Sequence, residues 1–263
     1  MESLTSTKER RALILQALNE SSEVSVTSLS KKMNISEVTI RKDLNELKRR
    51  NLLLRVRGGA IRLPEIRLGD DTAIKVKQMF NTKEKRAVGE LAATLIKEND
   101  TIIIDSGTTT LEIAKNLHKF NSLTIITNAI NIALELSNYK RFTVILLGGH
   151  LRDSSTSTVG PIAESTLKLF YCDKLFLGVD SFNIKEGVST PNIEEANINQ
   201  TMMAMAKETI AVLDSTKFEK RSFAFIAPVS KIHSVVTDNG IPSEIKSQLK
   251  KMDINLYIAN VMS

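Results

Sequence analysis

The sequence SEVTIRKDLNELKRR, residues 36–50, determines the fold predicted for the amino-terminal part of this chain. Ser36 is a favourable N-cap residue, because its hydroxyl can accept from free backbone amides. Apolar residues then recur at the spacing of one helical stripe, at Ile40, Leu44 and Leu47. The opposite face of this helix is basic and polar, so one side is suited to packing and the other to a charged partner.

A shorter apolar pattern precedes this helix, and only Asn34 and Ile35 lie between the two. Its members are Val26, Leu29 and Met33. Two helices joined by a tight turn, the second of them basic, form the layout of a helix-turn-helix, whose second helix enters the DNA major groove. A charged helix face exposed to solvent is the alternative interpretation. On the first interpretation, the residues facing DNA are Ser36, Thr39, Arg41, Lys42 and Asn45.

The next residues, NLLLRVRGGAIRL at 51–63, favour the DNA interpretation. They predict a strand at 53–57, a turn at Gly58 and Gly59, and a returning strand at 60–62. Arg55 and Arg57 would project from this hairpin. A basic hairpin beside a recognition helix is a wing, which contacts the phosphates of the duplex.

The segments TIRKDL and LLRVRGGA resemble the corresponding pattern of DeoR-family bacterial transcriptional regulators. Lys42 stands where the family usually has a second arginine, which keeps the charge but loses the bidentate fork of a guanidinium. Asn51 stands where the family usually has glycine, and asparagine tolerates the left-handed conformation that ends a helix. The resemblance implies a winged helix-turn-helix domain.

The charge of the chain is concentrated in this first segment. Residues 1–67 carry 14 lysines and arginines against 8 acidic residues, and this surplus equals the net charge of +6 of all 263 residues. The remaining residues are therefore neutral overall. This asymmetry indicates a polyanionic partner for the first segment, namely double-stranded DNA.

Composition excludes several other classes of site. Cys172 is the single cysteine, which excludes an internal disulfide and a cysteine-cluster metal site. The three histidines are scattered, and each is expected to be a surface or hydrogen-bonded histidine rather than a metal ligand. The first residues lack the apolar core of a signal peptide, and no run approaches the roughly 18 apolar residues of a membrane span. We expect a cytoplasmic protein without membrane contact and without a metal.

The periodicity predicts three segments: a winged helix-turn-helix domain at 1–62, a linker at 63–82 and an α/β domain at 83–263. Alternation of strands with helices predicts a parallel sheet covered on both faces. Residues 154–160, rich in serine and threonine, are expected to form a loop. The predicted strands are 101–104, 123–127, 142–147, 174–179, 209–213, 223–227 and 256–258. The predicted helices are 8–19, 83–97, 109–118, 129–137, 161–169 and 194–207.

Ligands of open α/β sheets bind at the carboxyl ends of the strands, and one such end is typical of an anion site. Asp105 ends a buried strand, and the residues that follow it open a helix whose amino end favours an anion. These residues are Ser106, Gly107, Thr108, Thr109 and Thr110. The stretch has neither a Walker lysine nor a G-x-G-x-x-G motif, so ATP and dinucleotides are not expected and no cofactor is predicted. A threonine-rich helix cap is the alternative.

Two further strand ends carry suitable side chains. Asp180 is placed to bind a sugar hydroxyl, and Lys217 is placed to neutralise a phosphate. The alternatives are a turn aspartate and a solvent-facing lysine.

Six motifs of the second segment together resemble the effector domain of DeoR-type regulators in their order. They are DSGTT at 105–109, TN at 127–128, LLGG at 146–149, GVD at 178–180, EEA at 194–196 and LDSTKF at 213–218. The resemblance therefore covers about residues 7–255. It implies a fold similar to ribose-5-phosphate isomerase and glucosamine-6-phosphate deaminase, and a sugar-phosphate effector. It adds Gly149 and Glu194 to the expected effector site.

The function expected from these features is that of a transcriptional regulator controlled by a phosphorylated sugar. We expect a repressor of a carbohydrate-catabolism operon rather than an activator. Operators with paired half-sites favour a homo-oligomer, a dimer or tetramer. The alternative is a sugar-phosphate isomerase or deaminase with a DNA-binding appendage, in which Asp180 and Glu194 or Glu195 act as acid and base. Since no histidine and no second carboxylate stand beside Asp180 in GVDSFN, a non-enzyme is predicted. A pure scaffold would leave residues 105–110 unexplained.

Overall fold

The computed structural model describes residues 7–49, 52–61, 71 and 73–261. By its contacts the chain divides into two compact units, Met1–Glu65 and Ile66–Ser263. Asn51 and most of the predicted linker lie outside the described residues.

Over residues 7–49 and 52–61 the first unit contains three helices and a small antiparallel sheet. In chain order the elements are α1 (Thr7–Ser21), β1 (Glu23–Ser25), α2 (Val26–Met33), α3 (Glu37–Arg49), β2 (Leu54–Val56) and β3 (Gly59–Ile61). The strands pair in the order β1-β3-β2. The apolar stripe predicted for α3 is confirmed, because Ile40, Leu44 and Leu47 are at most 2% exposed and pack with α1 and α2.

Local hydrogen bonds explain where α2 ends and α3 begins. Asn34 adopts a left-handed conformation with φ of 53°, and its amide bonds the last carbonyls of α2. The hydroxyl of Ser36 accepts from the amide of Thr39 at 3.3 Å, which is the predicted N-cap contact.

The wing differs from its prediction at the turn. Val56 pairs with Gly59, so Arg57 and Gly58 form the turn, whereas Gly59 belongs to β3. Gly58 has φ of +86°, a conformation that glycine adopts readily. A β-carbon on Gly59 would lie 2.1 Å from the carbonyl oxygen of Val24, so glycine permits the approach of β1. Strand β1 was not predicted, because three residues with one buried side chain are too short to give a periodic signal.

The second unit contains seven helices and twelve strands among the residues described. Its helices are α4 (Ile74–Lys77), α5 (Thr82–Ala93), α6 (Thr108–Lys115), α7 (Ile130–Leu136), α8 (Pro161–Leu167), α9 (Ile193–Met205) and α10 (Ser243–Lys251). Its strands are β4 (Thr101–Ile104), β5 (Leu123–Thr127), β6 (Phe142–Leu146), β7 (His150–Arg152), β8 (Ser157–Val159), β9 (Cys172–Gly178), β10 (Ser181–Asn183), β11 (Gly187–Thr190), β12 (Ala206–Val212), β13 (Ala224–Ala227), β14 (Ser234–Asp238) and β15 (Asn255–Ala259).

The predicted parallel sheet is confirmed. Seven strands pair in the order β15-β14-β12-β9-β4-β5-β6, and every pairing is parallel. Alternate strand residues point to opposite faces, as Ile102 and Ile103 do, and each face packs its own apolar cluster. Helices α5, α6 and α7 cover one face, while α8, α9 and α10 cover the other.

Several sequence predictions are wrong in this unit, and α10, β7, β10 and β11 were not predicted. Residues 223–227 do not join the parallel sheet, because β13 pairs antiparallel with β11 in a separate sheet, β10-β11-β13. The predicted loop at 154–160 contains β8, which pairs with β7. Strand β14 was missed because it begins and ends with polar residues. Residues 74–77, expected as linker, form α4.

The buried face of α5 also differs from the predicted one. Ala87, Leu91 and Leu95 are only partly buried, whereas the fully packed face includes Val88, Ala92 and a lysine, Lys85. Gly89 explains this orientation, since a β-carbon there would lie 2.4 Å from Cβ of Glu112 in α6. Close packing of α5 on α6 therefore turns Lys85 inward. No helix in the described ranges is long and apolar enough to cross a membrane.

Candidate functional site

A cavity of about 70 Å³ lies at the carboxyl ends of β4, β9 and β12, where a ligand of an open α/β sheet is expected. Polar and charged side chains dominate its wall. The polar members are Asp71, Lys77, Lys85, Asp105, Ser106, Thr108, Thr109, Ser154, Ser155, Asp180, Thr190, Glu195, Asn199 and Lys217.

The amino end of α6 forms one side of the cavity. No side chain caps this helix in the described part of the chain. The first backbone amides of a helix have no partner within the helix, and together with the helix dipole they favour an anion. Ser106, Gly107 and Thr108 line the cavity at this point.

Asp180 holds two lysines on one carboxylate oxygen. Nζ of Lys77 lies 2.8 Å from Oδ1 of Asp180, and Nζ of Lys217 lies 3.4 Å from the same atom. Burial of the Asp180 carboxyl would raise its pKa, but the two ammonium groups outweigh burial and lower the pKa to about 2. Asp180 is therefore an ionised acceptor within a charged cluster.

Asp105 has a different environment, although it is also a carboxylate of this cavity. It is 2% exposed and accepts hydrogen bonds from the amides of Ser106 and Gly178 and from the side chain of Asn199 at 2.9 Å. Burial, followed by the negative charge of Glu195, raises the pKa of Asp105 to about 8, against the effect of these hydrogen bonds. The group can therefore donate as well as accept near neutral pH.

A third cluster joins Asp71, Arg152 and Glu195. Arg152 forms an ion pair with Asp71, and its Nε lies 3.6 Å from Oε1 of Glu195. Thr190 donates to the other oxygen of Glu195 at 3.0 Å. Asp71 also accepts from the hydroxyl of Ser154 at 2.8 Å. The segment before α4 is thereby attached to the cavity wall.

Lys85 is the most buried lysine of the cavity, with 6% of its surface exposed. Its ammonium donates to the carbonyl oxygen of Lys77 at 2.5 Å. Burial lowers the pKa of Lys85 to about 8; Lys217 and Lys77 act in the same direction, while Asp214 and Asp180 oppose it. Lys85 thus differs from Lys77 and Lys217, which face a carboxylate.

The predicted effector residues separate into two groups. Asp105, Ser106, Gly107, Thr108, Thr109, Asp180 and Lys217 line the cavity. Thr110 is fully buried beneath the loop, and its hydroxyl has no partner among the described residues. Gly149 packs against Val159 and Ala163, and Glu194 is half-buried beside His150; neither lines the cavity. The turn of α9 presents Glu195 to the cavity in place of Glu194.

Sequence reasoning missed Asp71, Lys77, Lys85, Thr190 and Asn199. One signal was available for Lys85, since it stands three and seven residues before Val88 and Ala92 and so falls on a helical apolar stripe. Asp71 and Lys77 lie in a segment without apolar periodicity, and the sequence held no signal for them.

Most of the α3 residues predicted to face DNA are exposed in the first unit. Ser36, Arg41, Lys42 and Asn45 are exposed on or beside α3, and Thr39 is half-buried. Arg41 pairs with Glu37 at 2.7 Å. Burial and then the positive charge of Arg41 lower the pKa of Arg55, which indicates that the wing and α3 share one basic surface.

The two wing arginines differ. Arg57 is exposed at the turn, whereas Arg55 is half-buried and donates to the carbonyl of Gly59 at 2.5 Å. Asp43, on the buried side of α3, accepts from Arg10 and from Arg11 at 2.9 Å. Burial would raise the pKa of Asp43, but the two arginines lower it, so this carboxylate anchors α3 to α1.

Within the described ranges, no group of three or more histidine, cysteine, aspartate or glutamate side chains is arranged to hold a metal ion.

The sequence matches two protein-family descriptions. Residues 10–65 match the DeoR-like helix-turn-helix domain, and residues 80–239 match the DeoR C-terminal sensor domain.

Curated relatives match over nearly their whole length. The chain is 36% identical over 255 residues to an Escherichia coli protein named as an aga operon transcriptional repressor, covering 97% of this chain and 95% of the relative. It is 33% identical to the HTH-type transcriptional regulator GlpR of Haloferax volcanii, covering 94% and 96% of the two chains. It is 31% identical to the transcriptional repressor AccR of Agrobacterium fabrum, covering 97% and 98%.

Solved structures resemble the chain more distantly. Ribose 5-phosphate isomerase A of Methanocaldococcus jannaschii is 15% identical with a TM-score of 0.40, over 54% of this chain and 56% of the isomerase. The translation initiation factor eIF-2B of Pyrococcus horikoshii is 15% identical with a TM-score of 0.44, over 89% and 82% of the two chains.

Proposed function

This chain belongs to the DeoR family of helix-turn-helix transcriptional regulators, and we propose that it is a repressor whose operator affinity is controlled by a phosphorylated sugar. Relatives named as repressors support repression over activation. One observation carries the effector class: the uncapped amino end of α6 and three lysines surround a cavity that also holds polar groups suited to hydroxyls. Carbohydrate catabolism is the regulated process that fits such an effector.

The proposed ligand lies with its phosphate on the loop and first turn at 105–110. Helix amino ends bind phosphate through backbone amides, which makes this the anion end of the cavity. The hydroxyls of the sugar then face Asp180, Thr190 and Asn199, which offer charged and neutral hydrogen-bonding groups. Gly149, Thr110 and Glu194 support the site from outside the cavity rather than by contact.

The proposed DNA surface consists of α3 and the wing. Arg41, Lys42 and Asn45 are exposed on α3, as a recognition helix requires, while Arg57 projects at the wing turn. We assign Ser36 and Thr39 to the same surface, together with Arg55 at the base of the wing. Paired half-sites would be bound by a homo-oligomer, and the DNA partner implies a cytoplasmic location.

Coupling between ligand and operator is proposed to pass through the segment that enters the second unit. Asp71 and Lys77 both line the cavity. Lys77 pairs with Asp180 of the cavity wall, and Asp71 pairs with Arg152, which approaches the cavity residue Glu195. A ligand changes operator affinity only by its differential affinity for two protein states. A bound sugar that rearranges these ion pairs satisfies that condition, and an inducing effector would weaken operator binding.

We propose that the chain is not an enzyme, because a sensor requires selective binding rather than turnover. The alternative of an isomerase or deaminase has one supporting feature, the carboxyls of Asp105 and Glu195 on a single cavity. An assay of aldose–ketose phosphate interconversion separates the two. A rate of about 1 per second or faster would establish the enzyme.

A thermal-shift screen of the full chain against phosphorylated sugars and their unphosphorylated forms tests the sensor. We expect one sugar phosphate to raise the melting temperature and its neutral sugar to have little effect. Equal effects of the two forms, or none from any sugar phosphate, would contradict the proposed effector class.

A further inference from the structure

We propose that Lys85 is the residue that binds the phosphate charge of the effector, while Lys217 and Lys77 instead position Asp180. This inference rests on the proposed function and makes it more specific. Sequence motifs point to Lys217 as the phosphate partner, because it lies in LDSTKF. The ion pairs of the cavity lead to a different assignment.

The three cavity lysines differ in their partners. Lys77 and Lys217 share Oδ1 of Asp180, at 2.8 and 3.4 Å, so each has a carboxylate counter-charge. The ammonium of Lys85 contacts the carbonyl oxygen of Lys77, and no carboxylate pairs with it among the residues described. An ammonium can donate three hydrogen bonds, so Lys85 has capacity left for an acidic ligand.

Burial makes the position of Lys85 costly without a ligand. Only 6% of the surface of Lys85 is exposed to solvent. A buried charge without a counter-charge is unfavourable, and proteins usually pair such groups. The contact with the Lys77 carbonyl satisfies one hydrogen bond but supplies no charge, and the carboxylates of Asp214 and Asp180 act on the ammonium without forming an ion pair with it. A phosphate dianion would supply a counter-charge in direct contact.

The location of Lys85 matches the anion end of the cavity. Lys85 and Thr108 both line the cavity, and both also line a second, more open groove along α5 and α6. Lys85 of α5 and Thr108 at the start of α6 therefore both lie where the cavity adjoins this groove. A phosphate there receives backbone amides from α6 and an ammonium from α5. Such a pair of contacts selects a phosphate monoester over a neutral sugar.

Calorimetric titration of the full chain with inorganic phosphate, and with the sugar phosphate that gives the largest thermal shift, tests the assignment. The variants are Lys85→Met, which removes the charge at similar length, and Lys85→Arg, which keeps it. Lys217→Met tests the competing assignment, and Lys168→Met, an exposed lysine of the same unit outside the cavity wall, is the charge-matched control. We expect Lys85→Met to weaken binding of both probes about ten- to a hundredfold, as for a lost charged hydrogen bond. Lys85→Arg and Lys168→Met should stay within about fivefold of wild type, and Lys217→Met should weaken binding less than Lys85→Met does.

A second readout separates binding from a structural role. Without ligand, Lys85→Met should melt at the wild-type temperature or above it, because the variant no longer buries an unpaired ammonium. A lower melting temperature together with wild-type phosphate affinity would show that Lys85 only fastens α5 to the Lys77 carbonyl, and would overturn the inference. Loss of binding in Lys217→Met but not in Lys85→Met would overturn it in favour of Lys217.

The proposed function fails in a different way. If the wild-type chain binds neither inorganic phosphate nor any sugar phosphate, the anion site itself is wrong, and the assignment of Lys85 falls with it. If wild type and Lys85→Met bind equally well, only the assignment of Lys85 is wrong.

Discussion

Nζ of Lys77 lies 2.8 Å from Oδ1 of Asp180, although 103 residues separate the two in sequence. Lys77 ends α4, in the segment through which the chain enters its second unit, and Asp180 follows β9 at the carboxyl edge of the parallel sheet. A part of the cavity wall is therefore the same stretch of chain that leads back to the helix-turn-helix. Lys77 therefore belongs both to the proposed effector cavity and to the segment that connects the two units.

Replacement of Asp180 by asparagine should destabilise the protein by about 2 kcal/mol at pH 7, since the pKa of this carboxyl falls from 3.8 to about 2 on folding. A lowered pKa contributes stability above the unfolded value, and that contribution is lost as the pH falls towards 2. The deficit of Asp180→Asn should therefore shrink below pH 4. Urea unfolding at pH 7, 4 and 3 measures it, with the exposed Asp153→Asn as control. A deficit that is equal at all three pH values would contradict this account.

Replacement of Asp71 by asparagine should reduce the response to the effector without abolishing effector binding. Asp71 pairs with Arg152, which also approaches Glu195 on the cavity wall. Without this ion pair, rearrangement of the wall is less strongly linked to the segment before α4. We expect part of a coupling of about 1–3 kcal/mol to be lost. Operator titrations with and without the effector measure the coupling, and an unchanged ratio of affinities would exclude this link.

Replacement of Arg41 by alanine should weaken operator binding by about 1–3 kcal/mol if Arg41 reads a base. Arg41 is exposed on α3, and its positive charge contributes to the lowered pKa of Arg55 in the wing. Lys250→Ala is the charge-matched control, because Lys250 is an exposed residue of α10 in the other unit. Gel-shift titrations of both variants at one salt concentration are the measurement. Equal operator affinities of the two variants would show that Arg41 does not contact the operator.

Binding of a phosphate monoester should weaken as the pH rises above about 8. The pKa of Lys85 is lowered to about 8 by burial, with Lys217 and Lys77 adding to the effect and Asp214 and Asp180 opposing it. The monoester is already dianionic at this pH, so the change belongs to the protein. Affinity should fall by up to about tenfold per pH unit, and Lys85→Arg should remain flat to higher pH. A wild-type profile that is flat between pH 7.5 and 9.5 would contradict this prediction.

The sequence predicts the parts of this fold that repeat an apolar period. Ile40, Leu44 and Leu47 mark α3, and the strand at 123–127 has the predicted bounds. Strand β14 escaped prediction because its polar termini are buried through tertiary hydrogen bonds: Ser234 donates to Glu208, while Asp238 accepts from the amide of Ser215. Such partners lie more than twenty residues away and leave no local pattern.

The residues of the candidate site likewise divide into those with a local sequence signal and those placed by distant partners. Asp105 and the residues after it combine a buried strand with a small, hydroxyl-rich helix start, which is a local signal. Asp71 and Lys77 enter the cavity through ion pairs with Arg152 and Asp180, residues distant in sequence. Glu195 rather than Glu194 faces the cavity because of the helical phase of α9, which the motif EEA alone does not determine.

The central claim is that a phosphate bound at the start of α6 controls operator affinity. Thr108→Asp places a carboxylate where the phosphate would bind, whereas Thr108→Asn is a neutral control of the same shape. The measurement is an operator titration of wild type and both variants, with and without the sugar phosphate identified by thermal shift. We predict that Thr108→Asp binds the operator like wild type but no longer responds to the sugar phosphate, while Thr108→Asn retains a response. A wild-type response in Thr108→Asp would contradict the claim.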